Sequence, residues 1–109
     1  VVQIETKAGL DALDDILTVD GVDAVFIGPS DLSANLGHIG NIGAPEVVKA
    51  VETALDKIAA SDKASGIMAL DPAAAKGYLT RGVDFVAVSI DARTLALSLR
   101  AIAADMRAG

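Results

Sequence analysis

Two carboxylates are the residues of this chain best placed to do chemistry. Glu5 closes the apolar run Val1-Val2-Gln3-Ile4, and Asp31 follows Val25-Phe26-Ile27-Gly28-Pro29-Ser30. If those runs are neighbouring parallel strands, they lie about 5 Å apart and both carboxylates reach one rim, where they can share a cation. With no His or Cys beside them, the pair suits a hard ion such as Mg²⁺ or Mn²⁺. Such a site leaves coordination positions open for water and substrate oxygens. Gln3 stands on the same strand face as Glu5, two residues back. The turn after the second run adds the opposite chemistry. Gly28 lets the backbone bend closely against a neighbour. Pro29 fixes its own φ and offers no N–H. The amides of Ser30, Asp31 and Leu32 then point outward at a helix start, where anions bind. An anion site beside a cation site suits a metal-chelated carboxylate. The plain alternative is that Asp31 N-caps the short helix and Glu5 is solvated. Spacing alone weighs the two readings evenly.

The remaining polar residues have simpler readings. His38, the single histidine, follows Gly37 in a loop and is expected to be exposed rather than catalytic. Asp11, Asp14 and Asp15 form a solvated helix face. Asp71 and Asp91 are expected to be helix caps, and Met68 core or pocket wall. Arg81, Arg93, Arg100 and Arg107 sit on helices without clustering.

These groups need a scaffold, and composition says which kind. The chain has 109 residues, of which 52% are apolar but only 3% aromatic, so its core must be built from Val, Ile, Leu and Ala. That suits parallel strands covered by helices. A net charge of −6 argues against a nucleic-acid partner and against an anionic membrane surface. No apolar run approaches the roughly 20 residues of a membrane span, and no signal peptide is visible. The absence of cysteine removes disulfides and thiolate metal sites and is compatible with a cytoplasmic protein. The chain opens without Met, inside a strand-like run. A C-terminal piece of a longer protein is therefore expected.

Strands are predicted near residues 1–5, 24–28, 65–70 and 84–90. Thr6 is read as the cap of a helix from Lys7 to about Leu17, with Leu10, Leu13 and Leu17 on one face. Pro45 opens a helix at its first position. Its buried stripe is Val47, Val48, Val51, Leu55 and Ile58, and it ends near Ser61. Asp71-Pro72 starts a third helix that Gly82 closes. Asp91 is read as the cap of the last helix, which carries Leu95, Leu99, Ile102 and Met106 at helical spacing. Strands recur about every 20–25 residues, the rhythm of βαβ units. Four such units make half of an eight-stranded barrel. A small open doubly wound sheet is the alternative. No Walker loop or dinucleotide fingerprint is present.

Gln3-Ile4-Glu5-Thr6, followed by Gly21-Val22-Asp23-Ala24-Val25-Phe26-Ile27-Gly28-Pro29-Ser30-Asp31-Leu32-Ser33, resembles the HpcH/HpaI aldolase family. The similarity continues through Gly66-Ile67 and Phe85-Val86-Ala87-Val88 and covers essentially the whole chain. It implies an α/β fold, with residues 1–109 forming the C-terminal half, βα units 5–8, of a (β/α)₈ TIM barrel. It implies that Glu5 and Asp31 bind a divalent metal, Mg²⁺ or Mn²⁺ with Co²⁺ as an alternative. Gln3 would lie beside a pyruvyl group, and Gly28, Pro29, Ser30 and Asp31 would hold the substrate carboxylate. The catalytic His and Arg of that family belong to its N-terminal half, and nothing here matches them.

The resemblance implies a class II pyruvate aldolase that cleaves 4-hydroxy-2-oxo acids to pyruvate and an aldehyde. Its partners would be a 2-oxo acid substrate, the missing N-terminal half-barrel and further copies of itself, with the last helix packed across subunits. The wider superfamily includes acyl-CoA lyases of the citrate lyase β-like branch, which share a Glu and a Gly-x-x-Asp pattern; Pro29 and Gln3 favour the aldolase branch. A rival of another class is a non-catalytic half-barrel scaffold, whose open interior and two sheet edges favour pairing.

Overall fold

The computed structural model describes all residues, 1–109. Four strands run through it: β1 (Val2–Ile4), β2 (Ala24–Ile27), β3 (Ala64–Ala69) and β4 (Phe85–Val88). Helices α1 (Lys7–Asp11) and α2 (Leu13–Leu17) follow β1, and α3 (Pro29–Asn35) and α4 (Pro45–Ala59) follow β2. Helix α5 (Pro72–Arg81) follows β3, and α6 (Asp91–Ala108) follows β4. All three strand pairings are parallel and the sheet order is the chain order, β1-β2-β3-β4. The sheet is open, half of a (β/α) barrel.

Register separates the two faces of the sheet. Ile4, Ile27 and Ile67 stand level across β1, β2 and β3, and each is at most 2% exposed. Together with Val25, Val47, Val51, Leu55 and Ile58 they form the core between the sheet and α4. Each such burial contributes about 1.5–3 kcal/mol. One residue earlier, Gln3, Phe26, Gly66 and Phe85 stand level on the other, concave face.

Local chemistry explains most boundaries. The Thr6 hydroxyl accepts from the Gly9 amide at 3.1 Å, capping α1. Pro45 opens α4 at its first position. The Asp71 carboxylate accepts from the Ala73 and Ala74 amides at 3.0 and 2.9 Å. Gly82 closes α5 at φ 98°, a left-handed conformation that costs glycine little. Other expectations are corrected. The first helix is broken at Ala12, whose φ of −91° and ψ of 1° lie in the bridge region, and Leu13 beyond the break is buried. Val48 is 40% exposed, because Val47, Val51, Leu55 and Ile58 define the buried face of α4 and Val48 falls at its edge. Asp91 does not cap α6. It is the first helical residue, Ile90 holds the cap position, and Asp91 bonds only the adjacent Ala92 amide.

At the N-terminal end of β4, the Asp84 carboxylate accepts from the amide and the hydroxyl of Ser65 at 2.7 and 2.9 Å. Those two bonds, the amide first, hold its pKa below the ordinary carboxylate value. A carboxyl depressed in the folded state contributes stability above its unfolded pKa and loses it as pH falls through the folded value. Urea unfolding should therefore show parent more stable than Asp84→Asn at neutral pH, with the gap closing below the ordinary carboxylate range. A gap that persists unchanged into acid would assign the effect to packing instead.

Helix α6 does not fold back onto β4. None of its residues is buried, and Leu95, Leu99, Ile102 and Met106 are 57–76% exposed. Val88, on the helix-facing side of β4, is also left exposed. The chain leaves the sheet at Ser89, a non-glycine residue at φ 65° whose amide donates to the Ala69 carbonyl at 2.8 Å. That conformation costs about 1–2 kcal/mol in a residue with a Cβ. The molecule measures 58 × 27 × 22 Å as a result. No helix is long and apolar enough to cross a membrane.

Candidate functional site

Parallel pairing brings the C-terminal ends of β1 and β2 together. The ladder continues one step beyond β2, where the Gly28 amide donates to the Ile4 carbonyl at 3.0 Å. This pins the turn after β2 beside Gln3 and Glu5. The approach is close, and a side chain at Gly28 would displace the end of Gln3. A Cβ on Gly28 would stand 2.6 Å from Gln3 Nε2 and 3.4 Å from Glu5 Cβ. Gln3 Nε2 in turn donates to Glu5 Oε2 at 2.9 Å, so the two side chains project from one face of β1.

Asp31 does not cap α3. Pro29 takes the first helical position, which moves the cap to Gly28 and leaves Asp31 in the first turn with its side chain exposed. An acidic group there is favoured by the helix dipole. The Leu32 amide, expected to point outward, is bonded to the Gly28 carbonyl at 3.0 Å. The outward donors are therefore the amides of Ser30 and Asp31, which have no partner within the helix.

Gln3, Phe26, Gly28, Pro29, Ser30, Asp31 and Met68 line one cavity of about 130 Å³. Five of these were candidate site residues from sequence. Glu5 does not line the cavity itself; it stands beside it, bonded to Gln3. Met68 is the pocket wall that its strand position allowed. Phe26 was not singled out, although strand alternation places it on the face of Gly28, two residues on. His38 is away from the cavity and is not a free loop histidine. It is half-buried, and its Nε2 lies 2.8 Å from Glu46 Oε2 at the start of α4. A larger groove of about 270 Å³ runs between α1–α2 and α4, lined by helix residues alone.

Glu5 and Asp31 offer oxygen donors, the type that a hard cation takes. No three His, Cys, Asp or Glu residues converge anywhere in the chain. Two carboxylates with open positions match an ion that retains water and substrate oxygens.

The model of the HpcH/HpaI aldolase/citrate lyase family matches residues 1–97. The chain belongs to that family. A hydroxypyruvate/pyruvate aldolase of Roseovarius nubinhibens is 50% identical over 107 residues, which are 98% of this chain and 42% of that protein. A 2-keto-3-deoxy-L-rhamnonate aldolase of Escherichia coli O9:H4 is 50% identical over 91 residues, covering 84% of this chain and 34% of that protein. Among solved structures, an HpcH/HpaI aldolase/citrate lyase family protein from Burkholderia cenocepacia J2315 superposes with a TM-score of 0.89 at 37% identity. That match covers 98% of this chain and 42% of the other. The chain thus spans well under half the length of the relatives it matches. Membership of the family supports aldolase or lyase chemistry at the level of the family.

Proposed function

We propose that this chain is the metal-binding half of a class II pyruvate aldolase, an enzyme that cleaves 4-hydroxy-2-oxo acids to pyruvate and an aldehyde. The observation that carries the reading is the single cavity in which Asp31, Gln3 and the Gly28–Ser30 backbone meet, with Glu5 bonded at its edge. Glu5 and Asp31 hold Mg²⁺ or Mn²⁺, with Co²⁺ as an alternative. When bound, the cation supplies Lewis acidity to the keto and carboxylate oxygens of a pyruvyl unit. The Ser30 and Asp31 amides bind the remaining carboxylate charge from a fixed direction, so no reorganisation is needed as charge develops. Gln3, its amide fixed by Glu5, orients the pyruvyl group. With Asp31 assigned to the cation, the residue that moves the proton would come from the N-terminal half-barrel. Further copies of the protein cover the exposed face of α6.

The test is pyruvate release from a 4-hydroxy-2-oxo acid by the full-length protein. Activity should disappear on chelation and return with Mn²⁺. Cleavage that ignores chelator rejects the metal role. Turnover of acyl-CoA substrates alone moves the protein to the citrate lyase β-like branch, and turnover of neither supports the scaffold reading.

A further inference from the structure

We propose that Phe85, which does not line the cavity, is a positioning residue for the pyruvyl pocket. It fixes the ring of Phe26, the aromatic floor of that pocket, and Gly66 is the clearance that lets it do so. This inference rests on the proposed function and names what sets the depth of its pocket.

Geometry supplies the argument. Phe26 lies on β2 and Phe85 on β4, with β3 between them, and Gly66 is their level partner on β3. Strands two apart in a sheet are separated by roughly 10 Å. Yet the two rings stack with centroids 5.7 Å apart and planes 29° from parallel. They meet only by reaching across β3. Gly66 is where the reach happens: a Cβ there would stand 2.6 and 2.7 Å from Cε2 and Cε1 of Phe85. A bare glycine inside a strand weakens the strand, and close approach of another group is its usual reason. Here that group is the tip of the Phe85 ring.

The consequence falls on Phe26. Its ring lines the cavity that holds Asp31 and Ser30. At its own level on β3 the Phe26 ring faces only the bare Gly66, so without Phe85 against it the ring can swing over that glycine and the floor drops. The ligands of the cation are untouched by that motion, since Glu5 and Asp31 stand on the rim above. Phe85 therefore acts on the fit of the apolar end of the donor and not on the metal.

The experiment uses the full-length enzyme loaded with Mn²⁺. Phe85→Leu keeps apolar volume but removes the flat face. KM for the 4-hydroxy-2-oxo acid should rise about three- to tenfold, the worth of an aromatic pair, with kcat within about twofold of parent. Mn²⁺ affinity, read by calorimetry, should not change. Gly66→Ala should reproduce the KM rise with Phe85 intact, by pushing its ring aside. It also carries the test if Phe85→Leu fails to fold. The double variant should do no worse than either single one, because both break the same contact. A KM for Phe85→Leu equal to the parent's, fully additive effects, or a matching fall in Mn²⁺ affinity would each overturn the proposal. A parent without metal-dependent cleavage would overturn the functional reading beneath it, so the two failures are distinguishable.

Discussion

Asp31→Asn in the full-length protein is expected to weaken Mn²⁺ binding by at least about 100-fold, since outer-shell changes alone cost 10–100-fold. The substitution keeps shape and removes the charge. Asp31 makes no cap bond to lose, because Gly28 holds the cap position of α3. Stability without metal should therefore change by less than about 1 kcal/mol, the limit of a first-turn dipole interaction. Glu5→Gln should act in the same direction. Calorimetric titration with Mn²⁺ measures both. Parent-like affinity in Asp31→Asn would remove the main physical support for a metal-dependent aldolase.

The second large effect concerns α6. Leu95, Leu99 and Ile102 stand 57–61% exposed on a helix with no covering element. The helix-facing Val88 is uncovered on the same chain. Exchange of such a helix between copies is a low-cost way to cover both surfaces. Leu99→Asp should then forfeit about 2 kcal/mol of burial in each copy of a symmetric pair, or roughly a 1000-fold rise in its dissociation constant. Sedimentation of the full-length protein across a concentration series reads this directly. An unchanged assembly would mean that copies of the protein do not cover α6.

Much of this was legible in the residues because local rules and tertiary packing agree. Pro45, Asp71-Pro72 and Gly82 mark ends that backbone chemistry alone enforces, and the Val- and Ile-rich runs marked a parallel sheet. Two corrections have local causes. Asp91 has the residue type of a cap, but whether such a residue caps depends on where the preceding turn starts the helix, a matter of one residue. Val48 has the type of a core residue, but the pitch of α4 against the sheet decides which of two adjacent valines is buried. At the site, the carboxylates and the glycine turn were visible because each follows a strand end. Phe26 stacked on Phe85 was not, because that contact crosses an intervening strand and leaves no periodic trace. Gly66 is its only mark in the sequence, and a lone glycine has many causes.

The order of the sheet also bears on how it forms and how it comes apart. Each strand pairs only with its immediate neighbour in the chain, so every pairing closes a single βα loop and no connection waits on a distant one. The entropy cost of closing a loop grows only slowly with its length, so each of these closures costs about the same. The pair β2–β3, backed by α4, is the natural seed. Because α6 gives β4 no cover, that edge is held by β3 and α5, and it carries Phe85. The floor of the pocket thus depends on an edge strand that its own following helix leaves uncovered.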